Sequence, residues 1–149
     1  MSMTDKFFRL IFSFGLSAIL SLFVFASSVR ADDAAKKAAQ GTITGQIEAF
    51  KAGDDAKAYS YAAPNIQMFF PDVQGFMAMV KKGYQPVWKP QTFDFGPTKE
   101  ADNGQIIQQV FVTGPDGKPW TAIYTLVRGP KGEWLINGVQ IVPGDDSSA

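Results

Sequence analysis

The side chains of this chain that could do chemistry are amides, phenols and carboxylates, because it contains no histidine and no cysteine. Their absence removes Ser-His-Asp and Cys-His nucleophile systems, thiol redox centres and ordinary zinc sites. Enzymatic work would have to rest on Asp, Glu, Lys, Tyr or a borrowed cofactor, and no sequence feature calls for a cofactor. Asp94 is the carboxylate to test, since Phe93-Asp94-Phe95 lies in a strand-like run where aspartate is disfavoured. To serve as a general base or ligand contact it must face inward, whereas alternation with the two phenylalanines puts it on the outer face. The amides Gln108, Gln109, Asn137 and Gln140 fall mid-strand among apolar neighbours, and a buried amide must find a partner.

Tyr59, Tyr61, Tyr84, Trp88 and Trp120 would give an aromatic wall for a flat or lipid-like ligand, or else ordinary core. Taken together, Tyr84, Trp88, Gln108, Trp120, Tyr124 and Asn137 are the candidate ligand-binding set, with an apolar cavity carrying a few polar groups as the expected site. Metals are not expected. Met68, Met77 and Met79 lack an accompanying His or Cys, and Asp32-Asp33, Asp54-Asp55 and Asp145-Asp146 are adjacent, without the alternate spacing of a calcium loop. No glycine-rich nucleotide loop is present, and Gly114-Pro115-Asp116-Gly117 reads as a hairpin turn.

The elements that must position these residues change period halfway along the chain. Asp33 to Lys51 reads as a first helix whose buried stripe is Ala39, Ile43, Ile47 and Phe50. Gly41 and Gly45 each cost about 1 kcal/mol in a helix interior, which predicts a start nearer Gly41 or a close packing contact. Asp54 caps a second helix running toward Ala63, where Pro64 prevents continuation. Pro64 to Phe70 is a short helical turn, and Asp72 caps a third helix. In that helix Val73, Phe76, Met77 and Val80 share a face, and Lys81-Lys82 and Gly83 end it. Tyr84 to Pro90 is expected to cross over in extended form, held so by Pro86 and Pro90.

From Thr92 the period is two. Thr92 to Glu100, Gln105 to Gly114, Trp120 to Arg128 and Glu133 to Val142 are rich in Val, Ile, Thr and aromatics. Asn103-Gly104, with a primed-turn signature, Pro115-Asp116-Gly117 and Pro130-Lys131-Gly132 join them. Tight consecutive hairpins make neighbouring antiparallel strands. The fold class is therefore α+β, with N-terminal helices packed on a curved four-stranded antiparallel meander. On the third strand Trp120, Ala122, Tyr124 and Leu126 share one face, and Gly138 is placed to bulge the fourth.

Residues 1–31 read as a signal peptide. Lys6 and Arg9 form the basic start, Leu10 to Phe25 the apolar run, and Val29-Arg30-Ala31 the small-residue cleavage site. An uncleaved anchor is the rival, since Leu10 to Val29 approaches the ~20 residues of a bilayer span. A lipidated cysteine is impossible, and Lys6 and Arg9 are not adjacent as a twin-arginine signal requires. The expected location is a periplasm or the cell exterior, with a membrane met only through the leader. Residues 32–143 are expected as one domain and 144–149 as a flexible tail. Lys6, Arg9, Arg30 and Asp5 leave with the leader, so the balance of 14 basic and 14 acidic side chains becomes 11 and 13. Basic residues are scattered, which argues against nucleic acid. Partners expected instead are a small apolar ligand, an envelope protein or a second copy.

Gln46-Ile47-Glu48-Ala49-Phe50, the run from Ala58 to Ile66, and Phe76 to Val80 leading to Gly83-Tyr84 resemble a domain-of-unknown-function family of short exported bacterial proteins. Gly114 to Gly117, Trp120 to Leu126 and Gly132 to Gly138 follow in matching order. That family carries no assigned activity or catalytic residues. Its pattern is similar to the nuclear-transport-factor-two-like superfamily, which implies a bent sheet and helices forming a cone. The superfamily hosts enzymes, ligand binders and interaction modules, so three functions stay open: a non-catalytic binding domain, a histidine-free isomerase or hydrolyase using a carboxylate and tyrosines, or a dimerisation module.

Overall fold

The structure is a computed structural model that describes residues 32–145. The expected leader, residues 1–31, and residues 146–149 of the expected tail lie outside the described residues. The fold is that of the unit Lys36–Ala149. Residues 32–52 are helical, and the part within this unit, 36–52, is α1. Then come α2 (Asp55–Ser60), α3 (Pro64–Phe69), α4 (Val73–Gly83), α5 (Gln85–Trp88), β1 (Thr92–Glu100), β2 (Ile106–Thr113), β3 (Pro119–Arg128) and β4 (Trp134–Pro143).

Local chemistry sets most of these boundaries. The Asp54 carboxylate accepts from the Lys57 backbone N–H at 3.1 Å, and Asp72 does the same for Gly75 at 2.7 Å, so both expected caps satisfy otherwise orphaned donors. Pro64 starts α3, where a missing N–H costs nothing. The same property overturns the extended crossover expected for Tyr84 to Pro90. Pro86 occupies the first turn of α5, and the Trp88 N–H reaches the Tyr84 carbonyl at 3.0 Å. Helix α1 is likewise not interrupted at Gly41, which faces open space. Gly45 instead supplies the expected close contact, because the Tyr61 phenol lies where a Cβ would be.

The four strands form one antiparallel sheet in the order β1-β2-β3-β4. All three hairpins share one construction. In each, a three-residue loop ends in a glycine with φ near +80°: Asp102-Asn103-Gly104, Pro115-Asp116-Gly117 and Pro130-Lys131-Gly132. Asn103 does not take positive φ, so the first turn is not the primed two-residue type that its dipeptide suggests. It is a type I turn closed by a left-handed glycine, like the other two.

Pairing fixes the faces. Gln108 opposes Tyr124, Val110 opposes Ala122 and Ile106 opposes Leu126, all buried on the face toward the helices. Asp94 opposes Phe111 and Gln109 opposes Ile123 on the outer face. The register shifts between Phe95 and Thr98 in β1 and opposite Thr125–Leu126 in β4, where Asn137 is the additional residue before Gly138. Both irregularities add local bend and twist to the sheet. The β4 bulge puts Gln140 on the outer face and Val139 on the inner one.

Helix α1 is fastened across the inner face at two points. The Thr42 hydroxyl donates to the Trp134 carbonyl at 2.7 Å, and the Gln40 amide donates to Gln108 Oε1 at 3.1 Å. The expected stripe Ala39, Ile43, Ile47 and Phe50 is buried along this line. Each large member contributes about 1.5–3 kcal/mol of burial. A second cluster joins Ala49 and Phe50 to Ala58, Ala62, Phe76, Met77 and Val80. Ala62 bridges β4 in parallel, with Ile136 N–H on the Tyr61 carbonyl at 2.9 Å and Ala63 N–H on the Ile136 carbonyl at 2.8 Å. That bridge stations α3 beside the edge of the sheet.

Candidate functional site

The site grows from Phe76, the hub of the helical cluster. Its ring meets Phe50 at 6.4 Å, Tyr59 at 5.3 Å and Phe70 at 6.5 Å between centroids. The Tyr59 hydroxyl donates to the Phe70 carbonyl at 2.5 Å and the Gln67 amide to the Tyr59 carbonyl at 3.3 Å, fixing the segment after α3. Three short helices set around one ring cannot close completely over it. They leave a cleft of about 260 Å³, partly open to solvent, against the β4 edge. Phe50, Ile66, Phe70, Phe76, Met79, Val80 and Val87 form its apolar walls, and Ile136, Gly138 and Val139 its β4 side.

Two polar side chains reach this cleft. Gln46 is buried and donates to the Ala58 carbonyl at 3.1 Å, which orients its amide. Tyr84, at the junction of α4 and α5, is half-buried, and its hydroxyl bonds to no other described residue. Among the described residues no carboxylate lines the cleft. The described carboxylates are exposed, apart from Asp55 at the start of α2, which is half-exposed. Asp94 is among the exposed ones, on the outer face against Phe111.

Of the six residues singled out as a ligand set, the cleft takes in Tyr84. Trp88 packs on the same cluster next to it. Gln108 lies elsewhere, fully buried in the sheet, where its amide nitrogen donates to the carbonyls of Gly96 at 3.0 Å and Gln109 at 2.8 Å. Its oxygen accepts from Gln40 and, at 2.5 Å, from Thr98. Those bonds lock the β1 bulge, a structural occupation that exhausts the side chain. Tyr124 is fully buried opposite Gln108, and burial raises its hydroxyl pKa well above the ordinary phenol range. Trp120 sits at the far end of β3 against Gly114, and Asn137 is half-buried in the β4 bulge.

The residues that do form the cleft look like core stripes in the sequence. Nothing in a helical apolar period separates a side chain that meets a neighbour from one that faces a gap. One compositional signal points to the gap. Pro64, Pro71 and Pro86 cut the helices into pieces of 4 to 11 residues, too short to cover a continuous apolar surface.

The fold is an α+β domain of helices followed by an open antiparallel meander, with an apolar cleft between the helices and an edge strand. Residues 32–149 match the domain of unknown function DUF4864, and the chain belongs to that family. No curated protein and no solved structure matches it. The expected resemblance to nuclear-transport-factor-two-like cones is thus not confirmed by any structural neighbour. Among the described residues no group of acidic side chains could hold a metal ion, and no helix is long and apolar enough to cross a membrane.

Proposed function

We propose that this domain is an exported, non-catalytic binding module that holds a small apolar or amphipathic molecule in the cleft around Phe76. The observation that carries the reading is the cleft itself: about 260 Å³ with aliphatic and aromatic walls and two polar side chains, Gln46 and Tyr84. At the ~30 Å³ that one water occupies in the liquid, it accepts about nine non-hydrogen atoms. A chain of about eight methylenes gains roughly 6 kcal/mol by leaving water, which corresponds to dissociation constants of tens of micromolar at best. That suits a carrier or sensor better than a permanent holder. Export rests on the leader pattern of residues 1–31.

The enzymatic alternative needs a carboxylate within hydrogen-bond reach of a tyrosine inside the cleft, and Asp94 faces solvent instead. A partner-binding reading has its own support on the outer sheet face, where Phe111 is 49% exposed beside half-exposed Ile107, Ile123 and Val142. It requires a concentration-dependent dimer or a captured envelope protein.

The test is titration with 1-octanol, followed by methyl NMR of Ile66, Met79 and Val139. Saturable shifts at these methyls, lost on filling the cleft with Ile66→Trp, are expected. Unchanged methyls at millimolar octanol, with no copurifying molecule seen by mass spectrometry of protein from its own host, would end the ligand reading.

A further inference from the structure

Positive charge lies next in the chain to residues that line the cleft, Lys81 after Val80 and Lys89 two residues after Val87. Tyr84 and Val87 line it, and Trp88, the next residue, packs on the same apolar cluster. Two ammonium groups rest on the Trp88 ring, Lys81 Nζ at 5.7 Å and Lys89 Nζ at 5.3 Å from its centroid. Lys89 also donates to the Lys51 carbonyl at 3.3 Å, in the last turn of α1. Neither ammonium has a carboxylate partner among the described residues, where the ion pair found is Lys51–Glu48 at 3.5 Å. Lys82, next to Lys81 in the chain, is exposed.

Both ammonium groups lie within 5.7 Å of one ring centroid, so their charges add to one positive region next to the cleft-lining Val87, and an aromatic face offsets that charge only in part. An anion beside the ring is attracted by both ammonium groups and supplies the counter-charge that neither has among the described residues. We infer that the site takes an anionic amphiphile, its carboxylate or phosphate head beside Trp88, where Lys81 and Lys89 attract it, and its tail in the cleft. The inference rests on the apolar-ligand reading above and adds the head group to it. Tyr84 lines the cleft, and its hydroxyl, which bonds to no other described residue, is a free donor for a polar ligand group.

The experiment uses three probes with one tail: octanoate, octyl phosphate and 1-octanol, titrated by calorimetry and by Trp fluorescence. Either anion is expected to bind about 5- to 10-fold more tightly than octanol at low salt, the gap closing below about 2-fold near 0.5 M salt, as screening requires. Whichever anion binds tighter identifies the head as carboxylate or phosphate. In Lys81→Gln/Lys89→Gln the anions should fall to the affinity of octanol while octanol itself is unchanged. Lys81→Gln alone, which spares the Lys89 bond to α1, should lose part of the gap without loss of stability. Equal binding of all three probes overturns the head-group inference and leaves the cleft reading intact. Binding by none of them removes both.

Discussion

Gly41 and Gly45 stand one turn apart in the same helix, yet alanine should stabilise the protein at the first and not at the second. Removing glycine from a helix interior gains about 1 kcal/mol at either site, so the propensity term cancels in the comparison. What differs is space. A Cβ at Gly41 meets nothing within 4 Å, whereas at Gly45 it would collide with the Tyr61 hydroxyl oxygen and lie 2.6 Å from Cζ. The phenol ring must be displaced, and overpacking of this kind costs about 1–3 kcal/mol. Gly41→Ala should therefore stabilise the protein by about 1 kcal/mol, and Gly45→Ala should fall about 1–3 kcal/mol below it. With a urea slope of about 2 kcal/mol/M, the two midpoints separate by roughly 0.5–1.5 M. The decisive measurement is the double-mutant cycle with Tyr61→Ala. Once the ring is gone, Gly45→Ala should become as favourable as Gly41→Ala, leaving a coupling of about 1–3 kcal/mol. Coincident midpoints for the two glycine variants, or no coupling to Tyr61, would refute the packing argument.

Three further outcomes are expected. Gln108→Leu strands Thr98, Gln40 and the Gly96 carbonyl, so it should cost about 2–4 kcal/mol, against about 1 kcal/mol for Thr98→Ala; equal losses in denaturant titrations would show that Gln108 is not the hub. The Tyr124 hydroxyl is buried and has no hydrogen-bond partner among the described residues, so Tyr124→Phe should be neutral or stabilising by about 1 kcal/mol. Because burial raises its pKa, the contribution of Tyr124 is intact below about pH 10. It is lost as pH rises further, where the unfolded chain ionises and the folded one resists, at about 1.4 kcal/mol per pH unit. The Tyr124→Phe variant should lose correspondingly less stability between about pH 10 and 11, as read from urea midpoints at the two pH values. Expression with the leader intact should yield a periplasmic or secreted chain beginning at Asp32 by N-terminal sequencing, and a cytosolic chain retaining Met1 would overturn the export assignment.

The fold is legible where a local rule has one solution. Asp54 and Asp72 can only cap, the three loops ending in glycine can only turn, and alternation around Asp94 puts it on the outer face. Each follows from a few neighbouring residues. What stays hidden depends on position within an element or on contacts far along the chain. Pro86 looks like a helix breaker because proline is one in a helix interior, but a first-turn proline starts a helix. Asn103-Gly104 looks like a primed turn because the dipeptide favours it, but Asp102 lengthens the loop by one residue and leaves glycine alone at positive φ. Gln108 looks like a ligand contact because its amide is out of place in an apolar strand. The oddity is real, and its cause lies at Gly96 and Thr98, where β1 bulges and needs a side chain to satisfy it.

The same asymmetry explains why the cleft escapes the sequence. A buried amide announces itself by type, since it violates the apolar pattern, and so attention falls on Gln108, Tyr124 and Asn137 in the sheet. An apolar ligand site has the opposite character. It needs Phe50, Phe70, Phe76 and Val80 to be what any core would contain, and it becomes a site only because the pieces above them are too short to meet. The polar residues that would distinguish it lie at the ends of those pieces, Tyr84 after α4 and Lys89 after α5, where caps and charges are ordinary. In a domain built from proline-cut helices, the ligand site belongs where helix ends converge on one aromatic ring. On the reading proposed above, that ring is Phe76.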